Sequence, residues 1–251
     1  EENGEITVSA RKLSELFKSL PEKEELKFNL IDGKLRVNSN NFQADFATLA
    51  ASDFPEIEIQ EELSIFNIQA NRLKRLLTKT SFAMAAQDVR YYLNGLLLEV
   101  SNEEIKAVAT DGHRLAFSSQ GGAELKIKNH SSQILPRKAA LELSKILTDS
   151  ELEVEVAFGN SFFVAKTKGI TFSSKLIDGK FPDYRRVMPS NTDKLALFNQ
   201  EKMTDVLRRV AILSNEKSRG VVFNFASDGM VEVRANNAEQ DEAVEMIQAK
   251  Y

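Results

Sequence analysis

A sequence pattern that occurs twice is the feature that most limits how this chain can fold. Residues 6–20 (ITVSARKLSELFKSL) and 133–147 (QILPRKAALELSKIL) each combine a short strand pattern, an Arg-Lys pair and an amphipathic helix pattern. The two Arg-Lys pairs lie 126 residues apart, and two later Phe-Pro pairs, at Phe54 and Phe181, lie 127 residues apart. Such matching offsets indicate that one structural unit is duplicated.

A second kind of unit alternates with the first. Residues 65–82 and 195–213 also read as a strand followed by a helix. After each helix the apolar spacing changes from helical to alternating, as in residues 26–37 around Asp32-Gly33. This change predicts antiparallel strands joined by tight turns. We therefore predict an α+β fold built from four β-α-β-β-β units with antiparallel sheets.

The repeats also predict the domain organisation, because two consecutive units make one domain of ordinary size. Residues 62–190 then form a complete central domain, while residues 1–61 and 191–251 each form half of a domain. A half domain leaves sheet edges unpaired and an apolar helix face uncovered. We therefore expect the chain to be an internal piece of a longer protein.

The composition excludes several classes of protein. An apolar content of 42% in 251 residues supports packed cores and excludes a disordered chain. No apolar run reaches the roughly 18 residues of a membrane helix, and the first residues lack a signal-peptide pattern, so we expect a cytoplasmic protein. The sequence has no cysteine and two histidines, and we expect neither a metal nor a cofactor.

Charge is distributed unevenly along the chain. The formal net charge is −4, yet the four helical stretches 10–20, 71–80, 136–147 and 200–213 together carry +9, which leaves −13 for the strands and loops. If the repeats place all helices on one side, that side is a surface for a polyanion. The alternative is that each basic stripe is an ordinary solvated helix face.

Two helices indicate which of their faces should be buried. Apolar residues at helical spacing form a stripe in each, and we expect both stripes to pack against the sheets. The first stripe is Leu13, Leu16, Phe17 and Leu20, and the second is Leu73, Leu76, Leu77 and Thr80. Arg72, Arg75 and Lys79 then share a different face of the second helix.

The segment 109–116 (ATDGHRLA) has the composition of an acid–base site, with Asp111 and His113 on either side of a glycine. Neither a nucleophile motif nor a cluster of metal ligands accompanies it, and Asp-Gly is a common turn pair. A catalytic role is therefore the weaker alternative for this segment.

Five linked motifs resemble one protein family. They are residues 87–98 (QDVRYYLNGLLL), 109–116, 177–189 (IDGKFPDYRRVMP), 212–220 (ILSNEKSRG) and 235–243 (ANNAEQDEA). In order and spacing they resemble the bacterial DNA polymerase III β subunit family, the replicative sliding clamps. The resemblance covers the whole chain. Because that family has three two-unit domains, the chain should lack the first half of domain one and the last half of domain three.

The resemblance implies a fold and a function. Two subunits would join head to tail into a ring, with helices lining a basic central hole and acidic sheets outside. Double-stranded DNA would pass through the ring without sequence specificity. The ring would tether the replicative polymerase, the clamp loader and repair proteins through their short linear motifs. Such a protein is a processivity factor and not an enzyme.

The resemblance also implies DNA-binding roles for individual residues. Gln87, Arg90, Tyr91 and Tyr92 match a loop at the channel mouth, where aromatic rings can stack on unpaired bases. The alternative is that the two tyrosines begin a buried strand. The candidates that would face the channel are Arg11, Lys12, Arg72, Lys74, Arg75, Arg137, Lys138, Lys202, Arg208 and Arg209.

Two further sets of residues follow from the same motifs. The groove that would receive partner peptides is lined by Leu93, Thr110, Gly112, His113, Arg114, Leu115, Pro182, Arg186 and Val187. The dimer interface would contain Lys12, Leu16, Ile212 and Leu213. Exposed apolar side chains at a helix end suit a subunit contact, although the last two residues could also be ordinary core.

Overall fold

The computed structural model describes residues 4–55, 61, 63–121, 130–190, 192–216 and 218–251. The chain divides into two compact units, Glu1–Phe181 and Pro182–Tyr251. All strand pairs of the described residues are antiparallel, and the helices are few, so the predicted α+β class is confirmed. None of the described helices has the length and apolar character that spanning a membrane requires.

The N-terminal part of the first unit contains one helix and a small sheet. Its elements are β1 (Ile6–Thr7), α1 (Ala10–Ser19), β2 (Lys27–Ile31), β3 (Lys34–Ser39), β4 (Phe42–Ala47) and β5 (Leu49–Ala50). Strands β2, β3 and β4 form a three-stranded sheet, and β1 pairs with β5. Asp32 and Gly33 have positive φ angles of 50° and 70°, which gives the tight hairpin turn predicted from Asp-Gly.

The remainder of the first unit contains two complete β-α-β-β-β units. The first consists of β6 (Ser64–Gln69), α2 (Ala70–Thr80), β7 (Gly95–Val100), β8 (Glu104–Thr110) and β9 (Leu115–Gly121). The second consists of β10 (Ser131–Pro136), α3 (Arg137–Ile146), β11 (Glu153–Phe158), β12 (Phe162–Thr167) and β13 (Ile170–Lys175). This pair of units is called the central pair below, and it confirms the predicted order of elements.

The two units of the central pair exchange their first strands. One sheet has the strand order β10-β7-β8-β9, and the other has the order β13-β12-β11-β6. Strand β6 therefore completes the sheet of the second unit, and β10 completes the sheet of the first. Within β10, Ile134 pairs with Leu97 on one side and forms a single bridge on the other side to Ile177, which follows β13.

One continuous core lies between the sheets and the two helices of the central pair. It contains Leu76 and Leu77 of α2 and Leu143 of α3 together with buried residues of both sheets, such as Phe163. The predicted stripe of the second helix is confirmed, because all four of its residues are buried. Helix α2 packs against β9 and against α3, which brings the two helices side by side.

The second unit repeats the pattern in a shorter form. It contains α4 (Gln200–Val210), β14 (Val222–Phe225), β15 (Met230–Asn236) and β16 (Glu242–Gln248), and the three strands form one sheet. The strand predicted before α4 is reduced to a single bridge between Leu197 and Lys250. The side chain of Asn199 accepts a hydrogen bond from the backbone N–H of Lys202 at 3.0 Å and caps the start of α4.

The apolar stripe of α1 is less buried than that of α2. No residue of α1 is fully buried, and Phe17 keeps 40% of its surface exposed. Leu13, Leu16 and Leu20 are half-buried. The stripe faces the sheet as predicted, since the Phe17 ring meets the Phe28 ring of β2 edge to face with centroids 6.1 Å apart, but the sheet covers it only in part.

Candidate functional site

Helices α2 and α3 present basic side chains on the surface that faces away from their core. Arg75, Lys79 and Lys138 are exposed, and Arg72 is half-buried. None of the four forms an ion pair with any residue that the structure describes. Helices α2 and α3 pack against each other, and these four residues are together called the basic face below.

Other predicted DNA-binding residues are engaged by carboxylates. Lys74 pairs with Asp149 at 2.8 Å, and Arg11 pairs with Glu15 at 2.9 Å. In the second unit Arg208 lies 3.5 Å from Asp205. These three pairs are exposed at one partner or both, so they hold the side chains only weakly.

Arg209 forms a bidentate ion pair with Glu245 within the second unit. Its Nε donates to Glu245 Oε2 at 2.9 Å, and its Nη2 donates to the other oxygen of the same carboxylate. This two-pronged contact raises the pKa of Arg209 and lowers the pKa of Glu245. Arg209 is therefore oriented toward β16, whereas Lys202 and Lys12 have exposed side chains without such a contact among the described residues.

The loop between α2 and β7 is held by Asn94. The side-chain oxygen of Asn94 accepts from the backbone N–H of Asp88 at 2.9 Å, and its NH₂ group donates to the Asp88 carbonyl at 2.8 Å. Residues Tyr91–Leu93 form a 3₁₀-helix, and the following strand begins at Gly95. The alternative that the two tyrosines begin a buried strand is therefore wrong.

The aromatic rings of this loop differ in exposure. Tyr91 is 58% exposed, Tyr92 is half-buried, and their ring centroids lie 5.8 Å apart in an edge-to-face arrangement. Gln87, which precedes them, is exposed and has a positive φ of 59°. A ring exposed in this way can stack on a base.

Arg90 is bound within the loop rather than free in solution. Its Nε and Nη2 donate to the two carboxylate oxygens of Asp88 at 3.0 and 2.8 Å, and Nη2 also donates to the Asp111 carbonyl at 3.2 Å. The guanidinium contact, reinforced by the backbone N–H of Arg90, lowers the pKa of Asp88 to about 2. Arg90 thus connects the loop to the turn at 110–115.

That turn is built by Asp111 and Thr110. Asp111 Oδ1 accepts from the backbone N–H groups of His113 and Arg114 at 2.9 and 3.0 Å, and Oδ2 accepts from Arg114 Nε at 3.1 Å. The hydroxyl of Thr110 donates to the Arg114 carbonyl at 2.7 Å and accepts from Gly112 N–H at 3.1 Å. Because Gly112 has a φ of +89°, this position favours glycine.

The same contacts argue against acid–base catalysis at the turn. Hydrogen bonds from the backbone N–H groups of His113 and Arg114 and from the Arg114 side chain lower the pKa of Asp111. Asp111 is therefore a structural carboxylate whose two oxygens already accept hydrogen bonds. Among the described residues, no group of three or more acidic or histidine side chains is placed to hold a metal ion.

The loop, the turn and the start of α3 surround a depression of about 470 Å³. Arg137, at the first position of α3, donates from Nη1 to the Met84 carbonyl at 3.0 Å and forms part of its wall. The Arg114 guanidinium lies over the Phe82 ring, with its carbon 5.6 Å from the centroid. Arginines and carboxylates beside apolar side chains can bind a ligand with both charged and apolar groups.

The predicted groove residues differ in exposure. Gly112, His113 and Arg114 are exposed, Thr110 and Leu115 are half-buried, and Leu93 is buried. The other three belong to the second unit, where Pro182 and Val187 are exposed and Arg186 pairs with Asp183 at 3.1 Å.

The predicted dimer residues are also found at surfaces. Lys12 is exposed and Leu16 half-buried on α1. Ile212 is 77% exposed and Leu213 is half-buried in a 3₁₀-helix that follows α4. Ile212 is therefore not an ordinary core residue within the second unit.

Four residues of this region were not identified from the sequence as part of a site. Asp88 and Asn94 fix the loop, and Phe82 and Met84 line the depression. The two polar residues carry a detectable signal, since Asp and Asn side chains commonly bond nearby backbone in loops. Phe82 and Met84 carry none, because their spacing is that of ordinary core residues.

Comparison with known protein families finds matches to one family along nearly the whole chain. Three family models match in order: the DNA polymerase III beta subunit N-terminal domain at residues 1–58, its central domain at residues 67–183, and its C-terminal domain at residues 185–251. A beta sliding clamp from Pseudomonas aeruginosa is 45% identical over 250 residues, covering 100% of this chain and 68% of the relative. The chain belongs to the DNA polymerase III beta subunit family. The more detailed domain bounds of 1–61, 62–190 and 191–251 stay a prediction.

Other relatives and solved structures agree with this membership. Beta sliding clamps from Vibrio cholerae and Escherichia coli K12 are 44% and 40% identical, and each is covered to 68% of its length. A crystal structure of a P. aeruginosa DNA polymerase sliding clamp with ligand matches with a TM-score of 0.89 at 45% identity, covering 100% of this chain and 68% of that one. A Bartonella birtlesii clamp bound to griselimycin matches with a TM-score of 0.88 at 30% identity, with the same coverage of both chains.

Family membership establishes the general function. The chain has the sliding-clamp function in DNA replication, as a non-catalytic processivity factor and not an enzyme.

Proposed function

We propose that the basic face of α2 and α3 is the main surface through which this clamp contacts duplex DNA. The observation that carries the proposal is that Arg72, Arg75, Lys79 and Lys138 lie on two packed helices and have no carboxylate partner among the described residues. Unpaired cations bind phosphates without first breaking an ion pair. Such contacts carry no sequence information, which suits a protein that slides.

The remaining candidates fall into four groups. Lys12 and Lys202 are exposed and would add to the attraction. Arg11, Lys74, Arg208 and Arg209 would contribute less, because each already has a carboxylate partner. Arg90 and Arg137 would position the loop and the start of α3, while Gln87, Tyr91 and Tyr92 would contact unpaired bases at the channel mouth.

Partner binding would use the groove residues. Leu93, Thr110, Gly112, His113, Arg114 and Leu115, with Pro182, Arg186 and Val187, would receive short linear motifs of the replicative polymerase, the clamp loader and repair proteins. The exposed apolar side chain of Val187 supports this assignment. The complete clamp would work in the cytoplasm as a head-to-tail ring dimer, with Lys12, Leu16, Ile212 and Leu213 at the subunit contact.

A charge-reversal series tests the DNA proposal. The variant R72E/R75E/K138E should bind duplex DNA more weakly, and the slope of log K against log salt should become shallower by about 3, one for each lost phosphate contact. Fluorescence anisotropy across a salt titration measures both. The matched control K34E/K168E/K175E makes the same charge change at exposed lysines on the sheets and their turns and should lose much less. An equal loss in both variants would contradict a dedicated basic face.

Encirclement has a separate test in the complete clamp. A ring loaded on circular DNA should remain bound, and cutting the circle once should release it from the new ends. Retention that is unchanged by cutting would rule out encirclement and leave only binding at a surface.

A further inference from the structure

One stretch of the 177–189 motif has no part in the DNA contacts or the groove proposed above. Residues 176–181, called the exit segment below, follow β13 and precede Pro182, the first groove residue of this motif. Leu176 N–H donates to the Ser161 carbonyl at 2.7 Å, and Ile177 N–H donates to the Ile134 carbonyl at 2.9 Å. The start of the exit segment is therefore anchored to the central pair.

The loop that carries Tyr91 and Tyr92 is held separately. Leu93 N–H donates to the Arg90 carbonyl at 2.8 Å, and Asn94 N–H donates to the Tyr91 carbonyl at 3.0 Å. The backbone that carries the two rings is therefore ordered by hydrogen bonds of its own, without help from the exit segment.

The exit segment and this loop meet at Gly179. A Cβ atom on Gly179 would lie 3.3 Å from Tyr91 Cε2, 3.4 Å from Tyr92 Cβ and 3.7 Å from the Tyr91 hydroxyl oxygen. The first two distances are shorter than the optimal separation of two carbon atoms, so a side chain here would push against the tyrosines. Gly179 lies outside the positive-φ region, so its backbone conformation alone does not require glycine. The glycine is needed because the tyrosines occupy the space beside it.

The two rings also depend on each other. Tyr91 is 58% exposed and offers the larger accessible surface, whereas Tyr92 is half-buried. Their edge-to-face contact, with centroids 5.8 Å apart, is a favourable arrangement of aromatic rings. A shift of Tyr91 away from residue 179 would therefore also disturb the aromatic pair.

We propose that Gly179 is a positioning residue for the base-stacking surface of the loop. Because Gly179 has no side chain, the exit segment lies close enough to hold the Tyr91 ring in one orientation while much of that ring stays exposed. A base that stacks on a ring already held in place loses less of its binding energy to ordering a mobile side chain. This inference rests on the proposed contact between Tyr91 and unpaired bases, and it adds a residue that itself makes no contact with DNA.

Affinity for single-stranded DNA tests the proposal. Fluorescence anisotropy at a fixed salt concentration compares a labelled oligothymidine with a labelled duplex. Y91A should weaken single-strand binding about tenfold, and G179V should weaken it about three- to tenfold, because the stack on one ring is lost or misaligned. Duplex binding should stay unchanged in both variants. G121V is the matched control and should change neither affinity, since a Cβ at the exposed Gly121, at the end of β9, comes no nearer than 3.5 Å to another group.

The double variant Y91A/G179V separates positioning of the ring from a general structural effect. If Gly179 acts through Tyr91, the double variant should bind single strands as weakly as Y91A alone. A further loss in the double variant, or a loss in Y91A without one in G179V, would overturn this inference and leave the loop contact standing. Unchanged binding in Y91A would overturn the loop contact and this inference together.

Fluorine NMR provides a readout that needs no DNA and remains available even if G179V does not fold. The chain has four tyrosines, so labelling with fluorotyrosine should give four signals, of which Y91F and Y92F identify two. The milder variant G179A should shift the signals of Tyr91 and Tyr92 and leave that of Tyr251 unchanged, and G121A should shift none of the three. Signals of Tyr91 and Tyr92 that do not move in G179A would overturn the positioning role.

Discussion

The central pair and the terminal parts of this clamp share the same sequence pattern, an amphipathic helix followed by alternating strands. They nevertheless bury their side chains to different extents. Leu77 of α2 is fully buried, whereas no residue of α1 is. The difference does not come from the local pattern, because both helices have an amphipathic stripe. Helix α2 packs against α3 and β9, whereas the small sheet beside α1 leaves Phe17 40% exposed. Burial of the helix stripe in this chain therefore follows the neighbours that pack on it and not the apolar pattern alone.

The largest expected contrast is between equivalent truncations in the two helices. L77A should cost about 2–5 kcal/mol of unfolding free energy, because it opens a cavity in a closed core. L16A makes the same chemical change at a half-buried site and should cost about 1 kcal/mol or less at low protein concentration. Urea unfolding followed by circular dichroism measures both. An equal cost would show that the stripe of α1 is covered in solution.

Two matched glycines give the next contrast. A Cβ at Gly95 would lie 2.7 Å from the Leu135 carbonyl oxygen of β10, whereas a Cβ at the matching Gly220 would meet nothing nearer than Ser218 Oγ at 3.8 Å. G95A should therefore cost about 1–3 kcal/mol, and G220A should be nearly neutral. The melting temperatures of the two variants test this. If G95A lowers the melting temperature as little as G220A does, β10 does not pack against β7 as described.

Two turn glycines sharpen the comparison further. Gly112 and Gly33 both have positive φ angles, so alanine should cost about 1 kcal/mol at each. Only at Gly112 does a Cβ approach another side chain, at 3.0 Å from Arg90 Nη1; at Gly33 it meets nothing within 4 Å. G112A should therefore also shift the NMR signal of the Arg90 Nε–H group, and G33A should not. An unchanged signal in G112A would contradict the contact between loop and turn.

The smallest contrast concerns two carboxylates that bind arginine. Arg90 and its backbone N–H lower the pKa of Asp88 to about 2, and Arg36 lowers the pKa of Asp45 without a backbone contribution. An Asp with a lowered folded-state pKa stabilises the fold above its ordinary pKa of about 3.9, and this stabilisation is lost as the pH falls toward the folded value.

Carboxyl NMR titration should therefore give a midpoint near 2 for Asp88. R90Q should raise the Asp88 midpoint and leave that of Asp45 unchanged. A midpoint for Asp88 near its ordinary value in the unaltered chain would show that the guanidinium contact is not maintained in solution.

Much of the fold could be predicted from the sequence, because the repeats and the alternating strands carry strong local signals. The four helices and the hairpin turn at Asp32-Gly33 are examples. The exchange of β6 and β10 between units could not be predicted, since strand periodicity shows which face is buried but not which strand is the neighbour. The partial burial of the α1 stripe illustrates the same limit.

The candidate site was predictable in location and less so in detail. The motifs pointed to the loop at 87–92 and the turn at 110–115, and the structure links them through Arg90. Sequence alone could not show that Arg90 is bound by Asp88, because a guanidinium in an isolated motif has no visible partner. Asn94 was also overlooked, because its function depends on a loop geometry that only the folded chain defines.

Strand β10 has a consequence for how the central pair opens. Ile134 pairs with Leu97 of β7, and its carbonyl also accepts a hydrogen bond at 2.9 Å from the N–H of Ile177, which follows β13. Separating β10 from β7 therefore disturbs backbone contacts on both sides of β10. We expect the slowest amides of β7 and β10 to exchange with solvent deuterium together, in one cooperative event.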